Sequence, residues 1–61
     1  MKIRDVLKRL NEDGWQVVRQ EGSHRILKHQ TKRGIVVVAG HPPKEMKTGT
    51  LQSVWKQAGL A

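Results

Sequence analysis

A chain of 61 residues makes one small domain, and a domain of that size has too little interior for a deep, enclosed active site, so any chemistry must sit on an open face or in a groove. Twelve Lys and Arg against five Asp and Glu leave a formal net charge of +7 and a pI near 10.7. A polyanion is the natural ligand, and RNA, DNA, an acidic protein and an anionic membrane surface all satisfy that sign. The absence of cysteine excludes disulfides and thiolate metal sites.

From the start of the chain, Ile3, Val6, Leu7 and Leu10 recur at i, i+3, i+4 and i+7 among charged residues, which predicts a surface helix with one buried stripe. Asp5 and Arg9 have the spacing of a same-face ion pair. Asp13-Gly14 closes the helix, Gly14 supplying the left-handed position. The opening residues contain no hydrophobic run resembling a signal peptide. The longest apolar run, Ile35 to Ala39, is too short to span a bilayer, so a cytoplasmic protein is expected.

Trp15 to Gln20 reads as the first strand, with Trp15 as a core anchor; Trp55 is expected to be another. Glu21-Gly22-Ser23 makes a short turn into a second strand from His24 to His29, forming an antiparallel hairpin. After a turn at Gln30 to Gly34, Ile35 to Ala39 forms a third strand. Gly40-His41-Pro42-Pro43 breaks regular structure. Thr48 is the expected N-cap of a closing helix from about Gly49, in which Leu51, Val54, Trp55 and Ala58 repeat the helical spacing and Gly59 ends it. The expected fold is therefore α+β: a single domain over residues 1–61 in the order α-β-β-β-α, with two helices on one face of a three-stranded antiparallel sheet and the other face wet.

Few groups in this chain can move a proton near neutral pH. The histidines are His24, His29 and His41; the first two are five apart on one strand, hence on opposite faces, and His41 lies in a loop, which makes a poor metal set. His24 stands out because Gly22 and Ser23 allow a ligand to come close to the protein backbone, while Arg25, Lys28 and, more distantly, Arg19 supply positive charge. On RNA, an imidazole with an ordinary pKa near ~6.5 can take a proton from the ribose 2′-OH or give one to the departing 5′ oxygen. DNA lacks that internal nucleophile. Ser23 fits a turn or phosphate-contacting role better than that of a covalent nucleophile, because no acid partner or nucleophile-elbow pattern accompanies it. Lys44 to Lys47 reads as a backbone-binding patch or a solvated loop.

Strand parity leaves His24 open in two ways. If it faces solvent, Ile26 and Lys28 face outward and Leu27 meets the helices; if Ile26 is the core residue, His24 lies on the covered side unless a bulge intervenes.

Gly14-Trp15 after an amphipathic helix, Val18-Arg19-Gln20-Glu21-Gly22-Ser23-His24, and the tail from Lys47-Thr48-Gly49-Thr50-Leu51 to Gln57-Ala58-Gly59-Leu60 resemble the HicA (YcfA-like) family of type II toxins over nearly the whole chain. The resemblance implies a fold like the double-stranded-RNA-binding domain. It implies an mRNA interferase that cleaves RNA without a metal or other cofactor and is held inactive by a cognate HicB antitoxin. The family's catalytic histidine falls on His24, and His41 corresponds to the histidine after the third strand. The chain departs from the family at Val38-Ala39-Gly40-His41-Pro42, where members often carry a proline within the strand's end.

The leading expectation is a ribonuclease toxin in which His24 transfers protons while Ser23, Arg25, Lys28, Lys44 and Lys47 hold the RNA. A noncatalytic RNA-binding module on the same fold is the alternative. A domain that binds an acidic protein also satisfies the charge, but leaves the Gly-Ser-His turn without a purpose.

Overall fold

The computed structural model describes residues 1–61. It contains α1 (Ile3–Glu12), β1 (Gln16–Glu21), β2 (His24–Lys28), β3 (Val36–Ala39) and α2 (Thr48–Gln57). The strands form one antiparallel sheet in the order β1-β2-β3, which is the α-β-β-β-α arrangement expected from the sequence. No helix is long and apolar enough to cross a membrane.

One core joins the helices to one face of the sheet. Ile3, Val6 and Leu10 of α1 meet Leu27 of β2, Val36 and Val38 of β3, and Val54 and Ala58 beside them, with Trp15 and Met46 completing the cluster. Each fully buried aliphatic side chain contributes about 1.5–3 kcal/mol. Truncating one to alanine costs about 2–5 kcal/mol because the cavity left behind does not close. Leu27 is buried, so His24, Ile26 and Lys28 take the opposite, open face, and the parity question is settled by Leu27. In β1 the register shifts between Val17 and Arg19, a bulge that leaves Val18 exposed without a partner.

At one end of the sheet, a polar knot holds the helix C-termini. Asp13 is the C-cap of α1, and Lys32 in the β2–β3 connection donates from Nζ both to Asp13 Oδ2 (2.6 Å) and to the carbonyl of Ala58 (3.0 Å), the C-cap of α2. A cation at helix C-termini complements the unpaired carbonyls there. The Lys32 hydrogen bond holds the Asp13 carboxyl below the usual carboxylate range, partly offset by desolvation.

His29 completes the knot. Its Nδ1 accepts the backbone N–H groups of Thr31 (3.1 Å) and Lys32 (3.2 Å). That assignment leaves the proton on Nε2, which donates to the carbonyl of Asp13 at 2.7 Å. The ring stands edge-on to Trp15, with centroids 5.3 Å apart. Gly14 lies beneath it at φ 107°, and a Cβ there would come within 2.7 Å of His29 Nε2. Glycine is required at this position by both conformation and space.

Several expectations shift. Thr48 is the first residue of α2 rather than its cap; Lys47 occupies the cap position and makes no side-chain capping bond. Trp15 and His29 fall just outside β1 and β2, and Ile35 outside β3. Trp15 is wholly buried as expected, whereas Trp55 is half-buried and packs against the core's edge. Asp5 and Arg9 form no ion pair, as befits an exposed pair whose Coulomb gain barely exceeds its side-chain entropy cost.

Candidate nucleic-acid interface

The Gly22–Ser23 turn sets His24. Glu21 pairs with His24 across it, so the hairpin closes in two residues, with positive φ at Gly22 (57°) and at no non-glycine residue. That sign pattern belongs to a type II′ turn, which matches the twist of the flanking strands. A side chain at Gly22 would meet nothing within 4 Å, so the turn is open above. His24 is exposed, and its imidazole makes no hydrogen bond within the chain.

Residues opposite one another on neighbouring strands share a face. Across the open face, His24 lies between Glu21 and Ala39, and Ile26 between Arg19 and Val37. Arg19 Nη2 donates to Glu21 Oε1 at 2.8 Å, putting an ion pair beside the imidazole. Glu21 was hidden in the sequence because it read as part of the turn. A two-residue turn, however, makes its flanking residues direct partners, and that was the signal.

Ser23 is half-buried and is anchored through its backbone, its carbonyl accepting the N–H of Gly40 at 3.1 Å. Arg25 points the other way from His24: its Nη1 donates to the Gly40 carbonyl at 2.9 Å. Gly40 is thus gripped from both sides of the Ser23–Arg25 segment. Its own lack of a side chain matters, because a Cβ would meet Ile3 Cδ1 at 2.5 Å. Lys28 shares the open face with His24 but lies four residues along β2, roughly 13 Å away at strand rise.

Lys44 and Lys47 are exposed on the segment that leaves β3 beside His24 and enters α2. That segment is fastened to the beginning of α1. Ile3 and Arg4 donate their N–H groups to the carbonyls of Lys44 (2.9 Å) and Pro42 (3.0 Å), Met46 donates to Met1 (2.9 Å), and Lys2 bridges to Glu45. The two helices therefore start side by side. The first amides of α1 are partly satisfied, whereas the N–H groups of Thr48, Gly49 and Thr50 donate to no group of the chain. With no acid in its first turn and lysines at 44 and 47, the start of α2 suits a phosphate.

The structure therefore brings His24, Ser23 and the Lys44–Lys47 segment to one end of the molecule, leaves Lys28 farther along the open face, and turns Arg25 to the helix side. His29 belongs to the knot at the other end, and His41 is exposed in the loop after β3. No three potential metal-ligating side chains gather anywhere in the chain.

No curated protein matches the chain. The family model described as the HicA toxin of bacterial toxin-antitoxin systems matches residues 3–60. That span takes in both helices, all three strands and the Gly22–His24 turn, and the chain belongs to the HicA toxin family.

Proposed function

We propose that this protein is a cytoplasmic toxin that cleaves RNA without a metal, with His24 as its proton-transfer residue, and that a HicB-like antitoxin restrains it. The observation that carries the reading is the exposed, unbonded imidazole of His24 beside a two-residue turn. A phosphodiester laid across the open end of the sheet meets that imidazole. Lys44, Lys47 and the free amides of α2, at the same end of the molecule, take neighbouring phosphates of the RNA, with Ser23 beside the turn and Lys28 farther along the strand.

As the 2′-oxygen attacks phosphorus, the 2′-OH loses its proton and the bond to the 5′ oxygen breaks. The products are a 2′,3′-cyclic phosphate and a 5′-OH end. His24 serves as the base that takes the first proton or the acid that supplies the second, and the lysines hold the neighbouring phosphates. General acid or base assistance of this kind contributes about 10²–10⁴-fold.

A noncatalytic RNA-binding module is the second reading. It is favoured by one observation: no side chain hydrogen-bonds to His24 to orient its ring, as catalytic imidazoles are commonly oriented. A time course on a long RNA in EDTA, comparing wild type with His24→Ala, separates the two. Cleavage by wild type alone, yielding cyclic-phosphate ends, supports the ribonuclease. Intact RNA that is bound by both proteins, with affinity falling steeply with salt, would establish the binding module instead.

A further inference from the structure

On the helix side of the sheet, away from His24, a groove of about 360 Å³ opens between α1 and the β1–β2 hairpin. One wall is a single stripe of α1, with Arg4, Leu7, Lys8 and Asn11 at i, i+3, i+4 and i+7; the other is formed by Val17, Arg25 and Leu27. We propose that this groove is a docking site for an acidic segment of a partner protein, which seats an aliphatic side chain between Leu7 and Val17 and sets its carboxylates against Arg4, Lys8 and Arg25.

Two independent observations favour that occupant. Val17 is paired with the fully buried Leu27 and so faces the helices, yet it remains 47% exposed. The cover over the core is incomplete at the β1 edge, and an apolar side chain entering there removes carbon surface from water. Around this gap the charge is all of one sign. Arg4, Lys8 and Arg25 take part in none of the chain's ion pairs, and Asn11 spends its amide on the carbonyl of Trp15.

RNA matches the rim but not the floor. Trp15, the one aromatic residue lining the groove, has no exposed surface on which a base would stack, and a ribose-phosphate chain leaves Val17 and Leu7 wet. A second copy of this chain brings another net charge of +7 to an already basic rim. The groove and the His24 face lie on opposite sides of the sheet, so an occupant here leaves His24 accessible to RNA.

The proposal stands on the groove's own chemistry and uses no cleavage assay, so its failure and the failure of the ribonuclease reading are separate results. The experiment is an NMR titration of the isotopically labelled full chain with the end-capped peptide Glu-Glu-Leu-Leu-Glu-Glu. The expected result is movement of the Leu7, Val17 and Leu27 methyl signals while Ile26 and Val37 on the open face stay still. Replacing both leucines of the peptide by serine weakens binding about tenfold, and Lys8→Glu, at an exposed helix position, does the same without altering the far-UV spectrum. His24→Ala leaves affinity unchanged. The proposal is overturned by no binding at millimolar peptide, by equal affinity of the serine peptide, or by shifts centred on Ile26 and Val37. It is equally overturned by an RNA dodecamer that moves the groove methyls as strongly, or by concentration-dependent shifts without peptide, which would identify a second copy as the occupant.

Discussion

His24 and His29 stand at opposite ends of β2 and have opposite lives. His24 opens the strand on an exposed turn with no hydrogen bond to its ring. His29 follows the strand's last residue and has both ring nitrogens occupied, by the backbone of Thr31 and Lys32 on one side and of Asp13 on the other. The first has both ring nitrogens open to a ligand. The second is a strut joining the end of α1 to the β2–β3 connection. A histidine in a small basic domain earns a chemical reading from what its nitrogens lack, and a structural one from what they hold.

Mutation should separate the two residues cleanly. His24→Ala is expected to reduce RNA cleavage by about 10²-fold or more while the melting temperature stays within the scatter of wild type; a cleaving His24→Ala protein removes the catalytic assignment. The largest structural effect should come from Gly14→Ala, which forces a side chain into positive φ and against the His29 ring. We expect a loss of about 3 kcal/mol in denaturant unfolding. His29→Ala should cost about 2 kcal/mol, roughly 10 °C in melting temperature for a domain of this size. Below its lowered melting point it should retain wild-type cleavage per folded molecule, and a selective loss of cleavage would merge the two histidines into one site.

Smaller effects sharpen the electrostatics at each end. Lys47→Ala and Lys44→Ala should weaken RNA binding severalfold without unfolding the chain. Each should reduce the dependence of log affinity on log salt by about one unit if its lysine meets a phosphate; an unchanged slope would mark that lysine as merely solvated. At the other end, Asp13 is held ionised by Lys32 more strongly in the folded chain than in the unfolded one. Its folded pKa is lowered, so its contribution is full above the ordinary carboxylate value and disappears as pH falls through the lowered one. Thermal melts should therefore show wild type losing stability from roughly pH 4 downward. Asp13→Asn should start lower and fall less steeply, and parallel curves would deny the contact its role.

The α-β-β-β-α order, the buried stripe of α1 and the three strands were legible in the sequence. Hydrophobic spacing and turn residues are local properties, and here they agree with the packing. The same holds for the Gly22-Ser23 turn, whose conformation is set by glycine's freedom within the turn itself. Other features depend on segments far apart in the chain. The face that His24 takes was decided by which neighbour the helices bury, and Leu27 rather than Ile26 fills that space. Arg25, adjacent to His24 in sequence, is turned to the opposite face by strand alternation, where its Nη1 donates to the Gly40 carbonyl while the guanidinium still borders the groove beside α1. Lys32, in sequence only one residue of the Gln30 to Gly34 turn, ties the ends of two helices because Asp13 and Ala58 arrive beside it only after the chain has folded. Local chemistry thus determined which elements form and which residue invites a mechanism. Tertiary packing decided which charges are free to meet a ligand and which are spent holding the fold, because a side chain's partners are set by distance in space.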